Sequence, residues 1–259
     1  MTITYINHAT VLIEAGETNI ITDPVYSYTV GFIIPRLKRP GIAFDELPRI
    51  DVILISHNHH DHLNLRTLRR LRRRYPSLVC IPKGLEHYAK RTGYRNVVGL
   101  EQWEVYKKER VSITAVPAQH WGRRNLWERN RSSYLGFVIE SNGETAYFAG
   151  DTGYGEHFKE IGNRFALDAA LLPIGAYKPY EWFKNIHLNP KTAVRAFLDL
   201  KAKHLVPIHW GTFKISDEPM REPPLLLLKE AESFGVADKV HVLENGSSFS
   251  ITSQTTPPL

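Results

Sequence analysis

The chain has 259 residues, 42% of them hydrophobic and 23% charged, a balance typical of a globular protein and not of a disordered chain. No apolar run approaches the roughly 20 residues that a transmembrane helix needs, and the N-terminus lacks the order of a signal peptide, so we expect a cytoplasmic protein. The 33 basic and 27 acidic residues give a net charge of +6.

Strand-like segments rich in β-branched and aromatic residues recur along the chain. In chain order they are ITYI, TVLIEA, TNIIT, DVILIS, SLVCI, VSITAVPA, YLGFVIE, TAYFAG, DAALLPIG, HLVPIH and KVHVLE. Helical patterns fall between them at residues 64–75, 84–92, 189–202 and 223–235. The third begins with Asn189 as N-cap and Pro190 at the first helical position. The pattern predicts an α/β chain with helices packed outside sheets.

The length fits one large domain, and no linker interrupts the chain, so residues 1–259 are predicted to form a single domain. The one cysteine, Cys80, lies in the apolar segment LVCIPKG and cannot form an internal disulfide. We therefore predict a buried, inert thiol there.

Six arginines lie between Arg66 and Arg74, and without them the basic and acidic residues would balance. Leu65, Leu68 and Leu71 recur in the same segment at three-residue spacing, which predicts an amphipathic helix with an arginine-rich outer face. One interpretation is a solvated helix face. The other is a face that attracts phosphate, either in the headgroups of an anionic membrane or in nucleic acid.

The strongest chemical signal is HNHHDH at residues 57–62, in the spacing H-x-H-x-D-H, directly after the apolar run DVILIS. A strand that ends here points alternate residues the same way, so His57 and His59 can reach one ion. The following turn brings Asp61 and His62 towards a second. Imidazole nitrogen and carboxylate oxygen suit zinc, with manganese or iron as alternatives, and no thiolates are available for a closed structural site. The motif therefore predicts an open, reactive metal centre.

Three candidates for the remaining ligands follow other strand-like segments, namely His120 after VSITAVPAQ, Asp151 after TAYFAG and His209 after HLVPI. Each alone is also consistent with a hydrogen-bonded structural residue. Together they complete two metal sites. In that arrangement one metal is held by His57, His59 and His120, the second by Asp61, His62 and His209, and both are bridged by Asp151.

These motifs resemble those of the metallo-β-lactamase superfamily, in which H-x-H-x-D-H is followed by a later His, a bridging Asp and a final His. Within it the chain is most similar to the N-acyl-phosphatidylethanolamine phospholipase D-like branch. The similar stretches, from residue 7 to about residue 213, are NHATVLIE, ITDPVYS, LPRIDVILISHNHHDHL, PAQHWGRR, YFAGDTGYGEHFKEIG, PIGAY, HLNPKTAV and PIHWGTF.

The resemblance implies an αββα sandwich of two mixed β-sheets with helices on the outer faces, a dimetal site at one edge of the sheets, and the ligand roles given above. By comparison with the phospholipase-type members, we expect the chain to begin at its first core strand and to lack their N-terminal extension. This departure leaves the identity of the lipid substrate open.

Three further residues stand in branch-like motifs. His187, in NIHLNPKTAV, matches a position that the branch places beside the metals, so it either contacts ligands or substrate or caps the following helix. For His8, in NHAT, a structural hydrogen-bonding role is one interpretation and membership of the site is the other. Asp23, in the ITDP turn, is predicted to orient a ligating histidine or to serve the turn.

Two divalent cations that share one water would lower its pKa towards neutrality and produce a hydroxide nucleophile. We therefore predict a hydrolase in which a metal-bridging hydroxide attacks phosphorus or an acyl carbon. Asp61 and Asp151 hold and orient this hydroxide. His187 stabilises the developing charge or protonates the leaving group.

The leading hypothesis is a phosphodiesterase acting on a small-molecule or lipid phosphodiester of the N-acylphosphatidylethanolamine type. The resemblance supports it, and so does the basic, tryptophan-bearing segment at residues 117–131, which is equally consistent with a plain surface loop. The second hypothesis is a hydrolase of lactones or carboxylic esters.

A nucleic-acid-binding or processing factor that uses the Arg66 to Arg74 face ranks below both, because no added RNA-binding domain is visible. A diiron redox enzyme is disfavoured, because His59 stands where the diiron oxidoreductases of this superfamily have an acidic residue.

Overall fold

The computed structural model describes residues 1–31, 33–121 and 134–251. Its strands are β1 (Thr2–Asn7), β2 (Thr10–Ala15), β3 (Thr18–Thr22), β4 (Thr29–Val30), β5 (Ile34–Pro35), β6 (Val52–Leu54), β7 (Leu78–Pro82), β8 (Val97–Leu100), β9 (Val105–Lys108), β10 (Val111–Val116), β11 (Gly136–Ser141), β12 (Glu144–Phe148), β13 (Ala169–Pro173), β14 (His204–Ile208) and β15 (Ser248–Ser250). Its α-helices are α1 (Leu65–Arg74), α2 (Glu86–Lys90), α3 (His157–Arg164), α4 (Tyr180–Phe183), α5 (Pro190–Asp199) and α6 (Glu222–Ser233). Short 3-10 helices lie at Phe44–Glu46 and Ala237–Lys239.

Two mixed sheets contain most of the strands. The first has the order β15-β1-β2-β3-β6-β7-β8, and the second has the order β14-β13-β12-β11-β10-β9. In the first sheet β3, β6, β7 and β8 are parallel, whereas β1, β2 and β3 form an antiparallel meander. In the second, β12, β13 and β14 are parallel and β9 to β12 are antiparallel. β4 and β5 pair as a separate hairpin.

The sheets pack face to face with helices outside them. Along β6, Val52 and Leu54 belong to the core between the sheets, while Ile53 faces the other way and packs with Leu68 and Leu71 of α1. This alternation arises because successive strand residues point to opposite faces. Helices α3, α5 and α6 cover the second sheet, where α5 packs against β13. The predicted αββα sandwich is confirmed.

Four of the six α-helices in the described residues correspond to the predicted ones, and α5 begins at Asn189 and Pro190 as expected. The Asn189 side chain accepts a hydrogen bond from Thr192 N, which caps the first turn. Helix α3 is not among the predicted helices, and it contains Gly162, a residue of low helix propensity. A Cβ at Gly162 would lie 2.6 Å from the carbonyl oxygens of Asp199 and Leu200, so close packing against the end of α5 explains the glycine.

The predicted strand KVHVLE is wrong. Val240 makes one isolated parallel bridge to Leu205, and the residues after it form no ladder. An alternating pattern becomes a strand only where a neighbouring strand pairs with it continuously. The last strand of the described residues is β15, at Ser248–Ser250, which pairs with β1 at the edge of the first sheet.

Helix α1 carries the predicted arginine-rich face, and three of its arginines bind neighbouring segments. Arg70 lies 3.7 Å from the centre of the Phe44 ring. Arg72 Nε donates to the carbonyl of Gly93 at 2.9 Å, and Arg74 Nη1 donates to the carbonyl of Phe44 at 2.7 Å. These contacts give part of the basic run a structural role.

Cys80 is fully buried, as predicted, and burial raises the pKa of its thiol to about 12. Among the described residues no helix is both long enough and apolar enough to cross a bilayer.

Candidate metal centre

The candidate site lies where strands of both sheets end. In the first sheet β1, β3 and β6 run in one direction, and in the second sheet β10, β12 and β14 share a direction. The motif at residues 57–62 follows β6 of the first sheet. His120, Asp151 and His209 follow β10, β12 and β14 of the second sheet, so both sheets deliver side chains to one edge. Gly150, with a φ of +61°, allows the ends of β12 and β6 to approach, because a Cβ there would lie 2.5 Å from Cβ of Ser56.

The first group of side chains contains His57, His59, His120 and Asp151, whose ligand atoms lie within 4.8 Å of one another. His57 Nε2 is 2.8 Å from His59 Nδ1, and His120 Nε2 is 3.3 Å from the same atom. Asp151 Oδ2 lies 3.9 Å from Nε2 of both His57 and His120. Three nitrogens and one carboxylate oxygen thus surround one point.

The second group contains Asp61, His62 and His209, again with Asp151 beside it. Asp61 Oδ2 lies 3.5 Å from His62 Nε2 and 3.7 Å from His209 Nε2. Asp151 faces these rings with both oxygens, Oδ2 at 3.2 Å from His62 Nε2 and Oδ1 at 3.1 Å from His209 Nε2. Asp151 therefore borders both groups, the position that the sequence predicted for a bridging ligand.

These residues fit divalent metal ions. Ligands about 2.0–2.1 Å from a tetrahedral zinc ion lie roughly 3.3 Å from one another, and the separations above bracket that value. His62 Nε2, His209 Nε2 and Asp151 Oδ1 are buried and make no hydrogen bond within the described residues, although they face one another. Buried polar atoms without partners are costly, so their convergence is best explained as a cation site.

The charge balance of the second group favours a cation. Burial acts to raise the pKa of Asp61, but the neighbouring His62 and the hydrogen bond from His8 hold it well below its usual range, so Asp61 is a carboxylate. Burial acts to lower the pKa of His209, but the Asp151 and Asp61 carboxylates raise it to about 9. The buried Asp151 and half-buried Asp61 carboxylates thus attract positive charge to this point.

Asp23 orients two of the candidate ligands, as one interpretation of the sequence predicted. It is fully buried, and its Oδ2 lies 2.7 Å from His62 Nδ1. The same carboxylate accepts from Ser56 N at 2.7 Å and from Ser56 Oγ at 2.5 Å, and Ser56 Oγ lies 2.9 Å from His57 Nδ1. A carboxylate behind a ligating imidazole fixes its tautomer and its direction.

Several contacts at the site were not predicted from the sequence. His120 Nδ1 donates to the carbonyl of Ile186 at 2.8 Å, which leaves Nε2 directed at the first group. The Trp121 ring lies 5.2 Å from that of His59. Ser56 and Trp121 each adjoin a predicted ligand in the chain, and that adjacency was the one signal available.

His187 lies beside both groups. It precedes α5, is buried, and its ring centre is 5.0 Å from that of His120 and 5.6 Å from that of His209. Its Nδ1 has no hydrogen-bond partner within the described residues. Burial lowers the pKa of His187 to about 4, so the ring is neutral near pH 7 and can donate one N–H.

His8 also reaches the site, with Nε2 2.9 Å from Asp61 Oδ2. Of the basic, tryptophan-bearing segment at residues 117–131, positions 122–131 lie outside the described residues.

The chain was compared with known proteins. A family model described as "Beta-lactamase superfamily domain" matches residues 18–210, a span that contains every predicted ligand. The mitochondrial N-acyl-phosphatidylethanolamine-hydrolyzing phospholipase D of Saccharomyces cerevisiae is 36% identical over 244 residues, which cover 88% of this chain and 51% of that protein. The N-acyl-phosphatidylethanolamine-hydrolyzing phospholipase D 1 of Caenorhabditis elegans is 32% identical over 243 residues, 88% of this chain and 68% of that protein. This chain thus spans about half to two thirds of the length of these relatives.

Among solved structures, a metallo hydrolase from the archaeon Ignicoccus hospitalis superposes with a TM-score of 0.76. The superposition covers 97% of this chain and 99% of the archaeal one, at 23% sequence identity. At that identity the likeness supports the fold.

Proposed function

Because this chain belongs to the metallo-β-lactamase superfamily and is a metal-dependent hydrolase, we propose that it is a phosphodiesterase of the N-acyl-phosphatidylethanolamine phospholipase D type. The proposed centre holds two divalent metal ions, zinc by preference. The first position takes His57, His59 and His120, the second takes Asp61, His62 and His209, and Asp151 is shared.

The observation that carries this proposal is the convergence of the seven predicted ligands, all buried or half-buried, on two adjoining points, in a chain 36% identical to a phospholipase D over most of its length. Two metal ions bound by these residues would supply Lewis acidity towards a phosphoryl oxygen and would lower the pKa of water. The donor set has no thiolate and no lysine, so it suits hydrolysis better than covalent catalysis by the protein.

The protein side chains orient the attacking water and stabilise charge on the substrate. Asp61 and Asp151 present carboxylate oxygens that accept hydrogen bonds from the attacking water and direct its lone pair at phosphorus. Neutral His187 lies on the side of the site where its N–H can stabilise charge that develops on the substrate oxygens or on the leaving group. The substrate is a small-molecule or lipid phosphodiester.

We propose the arginine face of α1 as a peripheral contact with an anionic membrane, with a cytoplasmic location. Arg66, Arg69 and Arg73 are candidates because they lie on one helix with solvent-exposed side chains.

The test is hydrolysis of bis(p-nitrophenyl) phosphate and of micellar N-acylphosphatidylethanolamine by protein loaded with zinc, manganese or iron, each with a chelated control. We expect cleavage that disappears on chelation and returns when the metal is restored. The preference between the two substrates reports whether the lipid portion is recognised.

A protein that holds two metal ions yet cleaves neither phosphodiester would contradict the proposal. Cleavage of lactones or carboxylic esters by the same sample would then assign it to the ester class. A third result, full activity in the chelated control, would exclude the metal centre.

A further inference from the structure

His8 contacts two of the proposed ligands of the second metal position. It follows β1, is 2% exposed, and places Nε2 2.9 Å from Asp61 Oδ2. Its carbonyl accepts a hydrogen bond from His209 N at 2.8 Å, and its ring centre lies 3.9 Å from that of His209. One residue of the first sheet thus touches a ligand from each sheet.

The direction of the hydrogen bond defines the role of the ring. Asp61 is a carboxylate that accepts, so the hydrogen lies on His8 Nε2. A nitrogen that carries a hydrogen has no free lone pair for a metal ion, although His8 lies within ligand distance of Asp61, His62 and His209. His8 is therefore placed to orient Asp61 and is not a ligand through this atom.

The surrounding contacts fix the ring. His8 has a φ of +49°, a conformation that histidine and asparagine adopt more readily than most residues. Its amide donates to Thr212 Oγ1 at 3.0 Å, and Phe213 packs edge-on against the ring at 5.3 Å. The residues after His209 thus hold His8 from the second sheet.

The two metal positions are supported differently. Asp23 acts on His62 directly and on His57 through Ser56, so it serves both positions. The hydrogen bonds of His8 within the ligand set involve Asp61 and His209. The turn between β1 and β2, which carries His8, therefore stabilises the ligands of the second position.

We propose that His8 is a positioning residue that sets the affinity of the second metal position, because it fixes the Asp61 carboxylate by a hydrogen bond and packs against the His209 ring. The inference rests on the ligand set of the proposed function. It concerns metal binding, so its test needs no substrate.

Two variants separate the hydrogen bond from the backbone conformation. His8→Asn tolerates the positive φ but is too short to reach Asp61, whereas His8→Gln places an amide N–H near the position of Nε2. We expect His8→Asn to weaken the second metal about 10- to 100-fold while the first binds as in the native protein. His8→Gln should recover much of that loss. Asp23→Asn is the matched control and should weaken both positions.

The readouts are zinc stoichiometry by elemental analysis, and cobalt(II) absorption during titration, which resolves the two binding steps. Equal weakening of both steps in His8→Asn, or native affinity for both, would overturn the proposal. A His8→Gln variant that melts at the native temperature but binds the second metal as weakly as His8→Asn would overturn the donor role and leave only packing. If native protein itself binds fewer than two metals, the proposed function fails instead.

A measurement on native protein covers the case in which the variants fold poorly. With histidine labelled by nitrogen-15, the His8 Nε2–H resonance should change during zinc titration in the step that fills the second metal position, which contains Asp61. A resonance that changes only in the step that fills the first position, or that does not change at all, contradicts the selective role.

Discussion

At the residue scale, Asp151 is the side chain on which both groups depend. Its oxygens lie 3.1–3.9 Å from nitrogens of four histidines, two in each group. It follows β12, one of the parallel strands in the second sheet, where Gly150 permits close approach to the motif after β6. A carboxylate at this point contributes its negative charge to both groups at once.

We expect Asp151→Ala to remove the shared ligand and to lower turnover at least about a hundredfold, since each metal ion contributes several kcal/mol to the transition state. Elemental analysis should find fewer than two metals per chain. Asp168→Asn is the matched control, because Asp168 is a buried carboxylate at the opposite end of the same sheet. An Asp151→Ala variant with both metals and full activity would contradict the assignment.

His187 has a separate predicted effect. Replacement by Ala should lower turnover roughly a hundredfold through loss of one hydrogen-bond donor in the transition state, with metal content unchanged. Steady-state kinetics and elemental analysis on the same sample check this. Unchanged turnover would refute the role. Loss of a metal ion would instead identify His187 as a ligand, an arrangement that its proximity to Asp151 and His209 also allows.

At the element scale, strand direction decides which residues meet. Strands β1, β3 and β6 of one sheet and β10, β12 and β14 of the other all end at the edge that carries the site. His187 arrives by another route, in the turn between α4 and α5, where Asn189 caps α5 and His187 N donates to the carbonyl of Phe183 at 2.8 Å. A capped helix start holds such a turn in place.

Helix α1 offers a test of the proposed membrane contact. Replacing Arg69 and Arg73 by Ala removes exposed charges but keeps the contacts of Arg70, Arg72 and Arg74. We expect the free energy of binding to phosphatidylserine vesicles, measured by co-sedimentation at low salt, to weaken by about 1 kcal/mol for each charge removed. Lys107→Ala with Lys108→Ala removes equal charge from β9 and should leave binding unchanged. Equal binding by native and arginine variants would leave the solvated-face interpretation.

At the scale of the whole molecule, the site joins the two sheets. The motif residues come from the first sheet and His120, Asp151 and His209 from the second, so any ion that binds them links both halves of the core. Binding to the folded state alone stabilises it by about 4 kcal/mol per ion at a thousandfold excess over Kd.

Removal of metal should therefore lower the melting temperature. A domain of this size loses about 2–4 °C for each kcal/mol, so chelation is expected to lower Tm by roughly 10 °C or more. Differential scanning calorimetry with and without chelator measures the effect. Asp151→Ala should show a much smaller difference between the two conditions. A native Tm that chelation does not change would contradict metal binding at this site.

The sequence by itself determined the parts of the protein that depend on local pattern. Alternation and helical spacing predicted the strands that lead to the site and four of the helices, and the start of α5 followed from Asn189 and Pro190. The motif at residues 57–62 specified metal chemistry, because imidazole and carboxylate side chains at that spacing after a strand share a direction.

Only the tertiary structure decided what depends on contacts between distant segments. KVHVLE has the alternation of a strand, yet no neighbouring strand pairs with it continuously, and α3 accepts a glycine because α5 packs against it. His8 and Asp23 allowed two interpretations in the sequence, and their partners lie 53 and 39 residues away in the chain. Hydrogen bonds across such separations form only when strand order brings the ends of β1, β3 and β6 to one edge of the first sheet.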